Sequence, residues 1–183
     1  MNLYHGTSIN GLSQLTPCLS EHGQPYIYFS KNMVVAAFYT VHMVERPNNW
    51  FPYGFSKNGV PCYTEYYENA LSDVYENKPG YIYQCADVEN IENPTNINCA
   101  YACKQQVPVQ SVLKIRNMYR WFLEQEHNGE LHIAKFSTLT KAQHVYREKM
   151  IIAEITNCKL RESPHSSYSE FISNRFPEIW INS

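Results

Sequence analysis

Much of what would direct a first reading is missing from these 183 residues. Neither sign of charge dominates, since 15 Lys and Arg stand against 17 Asp and Glu, a net −2, with a sequence pI near 6.4. Nucleic acid and anionic membrane are therefore offered no basic field. Arginine is absent from the first 45 residues, where Lys31 is the lone cation of that type. No apolar run is long enough to span a bilayer. The six cysteines form no C-x-x-C pair and have no His at zinc-finger spacing, so no metal is expected. Cys99 and Cys103, four apart, are by themselves weak evidence for one. There is no internal repeat and no low-complexity linker. Met1 runs directly into the first strand, so no signal peptide is expected. Reduced thiols and a cytoplasmic location are the corresponding expectations.

What is abundant is tyrosine, fifteen residues in all. Tyrosine gives flat, rigid surface with a polar tip, suited to nucleotides, and it is also ordinary packing material in half-buried strands. The length suits one domain with a sizeable core.

The stretch Leu3-Tyr4-His5-Gly6-Thr7 predicts a short strand ending in polar and small residues, and Gly6 permits close backbone approach. Tyr26-Ile27-Tyr28-Phe29-Ser30 alternates as a strand, with Tyr26 and Tyr28 on one face and Ile27 and Phe29 on the other. Between them Ser8–Gly23 reads as a loop with one helical turn around Ile9–Leu15, lying over the cleft that His5 and Tyr28 face. Ser30 is placed to cap a buried helix running from about Asn32 to Val44 and ended by Arg46-Pro47-Asn48-Asn49.

Trp50 to Tyr63 predicts an irregular hairpin turning at Asn58-Gly59. The aromatics beside Gly54 either wall a pocket or pin their own loop, and the second is favoured. Thr64 caps a helix with Tyr67, Ala70, Leu71, Val74 and Tyr75 on its apolar face, stopped by Pro79-Gly80. Gly80–Val88 alternates, with Tyr81, Tyr83 and Cys85 on one face and Ile82, Gln84 and Ala86 on the other. Asn-rich Glu89–Asn98 is a polar loop, and Val107–Leu113 is a strand with Pro108 at an edge or start.

Ile115, Met118, Tyr119, Phe122 and Leu123 then share a helical face ended by Gly129. Leu131–Phe136 alternates as a strand. Thr140 and Gln143 form a capping box for a helix to about Met150, and Ile151–Ile155 either prolongs it or begins a strand. Tyr168, Phe171, Phe176 and Trp180 predict a tail that packs.

The order L-Y-H-G-T, then Y-I-Y-F-S, then Gly80-Tyr81-Ile82-Tyr83 resembles the ADP-ribosyltransferase superfamily, with its closest echo in the rifampin-inactivating branch. The likeness spans roughly residues 1–115, with gaps. It implies an α+β fold in which a split β-sheet core with a central cleft fills residues 1–115. Residues 116–183 would form a helical C-terminal extension packed on that core. It also implies mono-ADP-ribosyl transfer from NAD, used as a substrate, to an acceptor that is a small molecule, a protein or a nucleic-acid base. Cleaving the nicotinamide–ribose bond passes through an oxocarbenium-like state.

On this likeness His5 hydrogen-bonds a ribose hydroxyl, the Gly6 backbone meets the nicotinamide amide, and Tyr28 stacks on the nicotinamide ring. Thr7 and Ser30 are supporting hydrogen-bond groups. The third catalytic position, a Glu in many members, has two candidates here. Gln106 precedes the Val107 strand and matches the position along the core. Glu92, with Glu89 and Asn93 beside it, lies in the loop where the rifampin-type branch keeps an acidic residue. Charge favours Glu92, but position along the core favours Gln106, which is taken as the structural equivalent and implies a slow or mono-specific enzyme. Three other readings stand beside this one, the plainest a Tyr-rich α+β protein with no small-molecule site. A catalytically silent module would bind NAD, ADP-ribose or a protein. An RNA 2′-phosphotransferase would need Arg near its early His, and the chain has none there.

Overall fold

The computed structural model describes residues 1–19, 23–41, 53–95 and 97–183. In chain order its strands and helices begin with β1 (Leu3–Thr7), β2 (Gln14–Leu15), β3 (Cys18–Leu19), β4 (Pro25–Ser30) and α1 (Met33–Ala37), which tightens into a 3₁₀ turn over Phe38–Thr40. Next come β5 (Tyr53–Phe55), β6 (Pro61–Thr64), α2 (Ala70–Tyr75), β7 (Gly80–Cys85), β8 (Ala100–Cys103), β9 (Val107–Pro108) and β10 (Ser111–Ile115). The remainder is α3 (Met118–His127), β11 (His132–Ala134), α4 (Lys141–Asn157), α5 (Ser167–Arg175) and α6 (Pro177–Asn182). The fold is α+β. It divides into two compact units, Met1–His42 with Tyr75–Leu131, and Met43–Val74 with His132–Ser183. In this division the helix after Ile115 belongs with the first unit, and residues 53–74 go with the C-terminal helices.

The first unit is built on an antiparallel sheet. Its strand order is β10-β7-β1-β4-β3, and β8 also pairs with β4. β7 lies against β1 in the register Leu3↔Cys85, His5↔Tyr83, Thr7↔Tyr81, so the alternation expected of Tyr81, Tyr83 and Cys85 holds. Leu3, Ile27, Phe29, Tyr83, Cys85 and Cys103 cluster on one face, with Leu15 and Val107. The opposite face carries α1, and two glycines set its distance. A Cβ on Gly6 would lie 1.9 Å from the Ala36 carbonyl oxygen, and one on Gly80 would lie 2.4 Å from Met118 Sδ and 2.6 Å from Thr40 Cβ. Beyond α1, Phe38 stacks on Phe122 with ring centroids 5.1 Å apart, and the Tyr75 hydroxyl donates to the Phe38 carbonyl at 2.7 Å.

Several local expectations change in this unit. Asn32, not Ser30, caps α1, accepting from the amides of Val34 and Val35, while Ser30 Oγ accepts from the Asn32 amide. The described part of that helix is one α turn and a 3₁₀ turn, and the expected stretch to Val44 with its Arg46–Asn49 stop lies outside the described residues. No helical turn forms around Ile9–Leu15, because Gln14 and Leu15 pair instead with Pro108 and Val107. The single strand expected over Val107–Leu113 is two, β9 paired with β2 and β10 at the edge of the main sheet. Asn117 caps α3, and Gly129, at φ 78°, ends it as expected.

In the second unit β5 and β6 form the expected hairpin, with Gly59 at φ 79° in its turn, and β11 adds in parallel to β6. Of the aromatics expected beside Gly54, Trp50 and Phe51 lie outside the described residues. The helix ascribed to a Thr64 cap starts later, at Ala70, and its organiser is Glu65. That buried carboxylate accepts from the Leu71 amide at 3.2 Å and the Phe136 amide at 3.3 Å, with Lys135 Nζ at 3.9 Å. Thr140 and Gln143 do form a capping box, and α4 runs on through Ile151–Ile155 to Asn157. The tail packs: Tyr168, Phe171, Ile172, Phe176 and Ile179 join Ile151, Ile155 and Tyr66 in one core. Arg147 is buried between the Phe136 and Phe176 rings, 5.2 and 5.4 Å from their centroids. Its Nε donates to the Tyr66 carbonyl at 2.6 Å.

Candidate functional site

The site is organised where β1 and β4 part. Their ladder contains one register pair, Tyr4↔Ser30. Continued, that register would set Gly6 opposite Tyr28, but no pair follows. Instead the Tyr28 carbonyl is met by the His5 ring, with Nδ1 at 2.8 Å. A carbonyl only accepts, so Nδ1 carries the proton and Nε2 is the bare, accepting nitrogen. Burial lowers the imidazole's pKa below 6.5, and the bond to Tyr28 offsets this only in part. His5 is therefore neutral at pH 7, in one tautomer. Among the described residues the ring makes no second hydrogen bond.

The two aromatic candidates meet through that carbonyl and not ring to ring. His5 shares the face of Phe29, their centroids 6.1 Å apart at 65°. Alternation turns the Tyr28 ring to the other face, beside Tyr26 at 5.7 Å, so the expectation that the His5 and Tyr28 side chains face one cleft is not met. Gly6 opens to that same face, and the carbonyl of Ala36 occupies the space a Cβ would take. Its lack of a side chain is thus required by helix packing before any ligand is considered. The two supporting hydroxyls also have local work. Thr7 Oγ1 accepts from the Ile9 amide at 3.2 Å, and Ser30, 3% exposed, holds the amide of the Asn32 cap.

The loop after β1 is fixed by a residue not singled out for the site. Tyr83 is fully buried, donates to the Ile9 carbonyl at 2.9 Å and accepts from the Leu12 amide at 3.1 Å. Because Tyr83 is the register partner of His5, the loop is pinned over the face that His5 occupies. The alternation of Gly80-Tyr81-Ile82-Tyr83 was the signal for it, and the hydroxyl's partners were not readable there.

The two candidates for the third position fall in different places. Gln106 sits just before β9, exposed, with its side-chain oxygen accepting from Gln14 Nε2 at 3.1 Å. Its partner Gln14 is on β2, which pairs with β9 in a small ladder apart from the main sheet. Glu92 forms an isolated antiparallel bridge with Ala102, and Ala102 is the register partner of Tyr28 on β4. Residues directly opposite in an antiparallel ladder point to one face, so Glu92, Ala102 and Tyr28 lie in a row on the same side. The Glu92 carboxylate accepts from the Tyr26 hydroxyl at 2.9 Å and pairs with Lys104 at 3.1 Å. These two partners, Tyr26 first, hold its pKa below the usual carboxylate range. The strand that makes the alignment, β8, was missed in the sequence because Ala100-Tyr-Ala-Cys has no apolar alternation to mark it.

Among the described residues no group of three His, Cys, Asp or Glu side chains converges as metal ligands would. No helix is long and apolar enough to cross a membrane among those residues. A shallow depression of about 430 Å³ is lined by Leu123, Glu124 and His127 of α3 and by Asn128 just after it, and none of the candidate residues lines it. Compared with known proteins, the chain matches no family model, no curated protein and no solved structure.

Proposed function

We propose that the chain is an NAD-dependent mono-ADP-ribosyltransferase whose carboxylate is Glu92. The observation that carries the reading is the His5–Tyr28 hydrogen bond at the point where β1 and β4 part. It leaves a neutral imidazole whose free nitrogen accepts, which is what a ribose hydroxyl requires. In the proposed reaction the nicotinamide–ribose bond breaks with its electron pair going to the nicotinamide nitrogen. The ribose carbon gains cationic character, and the acceptor's nucleophilic atom bonds to it as its proton departs to a base. Tyr28 supplies a ring for the nicotinamide to stack on from the sheet face opposite His5, so one NAD would reach both only across the gap where β1 and β4 part. Glu92 supplies an ionised group near developing positive charge, where a charged partner outweighs a neutral amide. Its place in the row with Ala102 and Tyr28 favours it over Gln106, which lies just before a separate ladder with its side chain engaged by Gln14.

One observation favours the second reading, a silent NAD-, ADP-ribose- or protein-binding module. Both carboxylate oxygens of Glu92 are already engaged, and Lys104 cancels its charge. Nicotinamide release from NAD separates the two. The transferase reading expects turnover that Glu92→Gln abolishes and Gln106→Ala leaves within about threefold, since a neutral amide contributes little to charge stabilisation. Loss confined to Gln106→Ala reverses the assignment. Thermal stabilisation by NAD without any release supports the binder.

A further inference from the structure

Lys and Glu on a protein surface, taken alone, are weakly coupled. Glu92 is held by more than that. Its main chain exchanges two hydrogen bonds with Ala102, both 2.8 Å, which fix the strand-like posture of one residue inside an otherwise irregular loop. Asp87 and Asn90, just before it, take left-handed backbone at φ 52°, so the loop turns sharply to deliver it. Its side chain is then gripped at both oxygens, Oε2 by the Tyr26 hydroxyl and Oε1 by Lys104 Nζ. The two grips support each other, because the Lys104 ammonium lies over the Tyr26 ring, 5.1 Å from its centroid. Tyr26 is itself 8% exposed, and its ring packs beside that of Tyr28. The carboxylate is thus tied to the strand that carries the stacking ring.

We propose that Tyr26 and Lys104 are positioning residues that clamp the Glu92 carboxylate, ionised, on the Tyr28 face of the sheet. The proposal rests on the transferase reading for its role in turnover, and on geometry alone for the clamp. A carboxylate accepting from a phenol and an ammonium keeps lone pairs for a third donor, so the clamp aims the group without using it up. The titratable side chains on this face are Tyr26, from β4, Lys104, from the chain just past β8, and Tyr28, which lies in the same row, while Ala102 between them offers only backbone.

The test follows the Glu92 carboxyl carbon by NMR in protein labelled at glutamate, assigned through Glu92→Gln, while nicotinamide release is measured over the same pH range. Wild type is expected to titrate below the ordinary 4.5. The midpoint rises in Tyr26→Phe and in Lys104→Met, and Lys104→Arg restores it. In turnover, Tyr26→Phe lowers kcat about tenfold with KM for NAD within about twofold, as expected when a group is misaimed and not removed. The acid limb of the rate profile moves up with the NMR midpoint. A midpoint unmoved in both Tyr26→Phe and Lys104→Met overturns the clamp. So does an unchanged kcat in Tyr26→Phe when Glu92→Gln silences the same enzyme. If wild type releases no nicotinamide, the transferase reading falls alone, and the titration still decides the clamp.

Discussion

Replacing Gly6 by alanine should cost the protein stability whether or not it binds anything. The added methyl would sit 1.9 Å from the Ala36 carbonyl oxygen and 2.8 Å from its carbon, with Thr40 Cγ2 at 3.3 Å. Contacts below 3.0 Å do not persist, so α1 must retreat by about 1 Å. The obstacle is main chain in a helix whose Val34, Val35, Ala36 and Ala37 are all buried, so no side chain can rotate away. Overpacking of this kind costs about 1–3 kcal/mol, and a rigid backbone neighbour puts Gly6→Ala near the upper value. For a chain of this size about 3 kcal/mol lowers the melting temperature by roughly 6–12 °C. Gly54→Ala is the control, since among the described residues nothing lies within 4 Å of its added methyl. Thermal and urea unfolding of both variants measure the difference. A Gly6→Ala protein that melts with the Gly54→Ala control would refute the packing argument. Lost activity in Gly6→Ala, by contrast, says nothing about a ligand unless the fold is shown intact.

Three further outcomes are expected. Tyr28→Ala should weaken NAD binding by about 1–3 kcal/mol in calorimetry, by analogy with base–aromatic stacking, and Tyr28→Phe less; equal losses would assign the effect to the hydroxyl. Arg147→Met should lower unfolding free energy by about 1–3 kcal/mol, because the buried Tyr66 carbonyl loses its charged donor. Glu178→Gln, at the exposed end of the same guanidinium, should change little, and the reverse ranking would contradict this account. His5 has its pKa lowered in the folded state, so its contribution is fully present above about pH 6.5 and is lost as pH falls from there through the folded value. Melting curves from about pH 8 to about pH 5 should therefore show a decline that His5→Asn reduces, and an undiminished decline in the variant would count against a buried neutral imidazole.

Elements whose cause is local were readable in the sequence. Thr140 and Gln143 satisfy each other within one turn, Gly59 and Gly129 supply positive φ where a turn or helix end needs it, and the faces of β7 follow from strict alternation. What escaped was decided by distant partners. Glu65 starts α2 with a buried carboxylate that also takes an amide 71 positions away, and no propensity encodes that. β8 exists because β4 has an edge to fill, not because Ala100-Tyr-Ala-Cys favours a strand. In the site, the sequence marked His5, Gly6 and Tyr28, but not that Tyr28 engages His5 through its carbonyl while its ring turns to the other face. Spacing along the chain could not show that Glu92 pairs with Ala102 in the row of Tyr28, while Gln106 lies beside a separate ladder.

The interleaving of the two units bears on how the chain is made. β1 is synthesised first, yet its most extensive partner, β7, begins at Gly80, and β7 in turn waits for β10, which ends at Ile115. Between them the chain has already passed through residues 53–74, which group with helices that emerge only after residue 132. On the ribosome, the strand that carries His5 therefore stays unpaired on that side while some 70 residues are added, and the first unit can close before the second. Assembly of this kind has high contact order and is slow. A fragment cut at residue 115 would lose Met118 and Phe122, which fill the space beneath Gly80 and against Phe38. A translational pause downstream of residue 131 would instead let the whole first unit form, with His5 seated on Tyr28, before the last helices leave the exit tunnel.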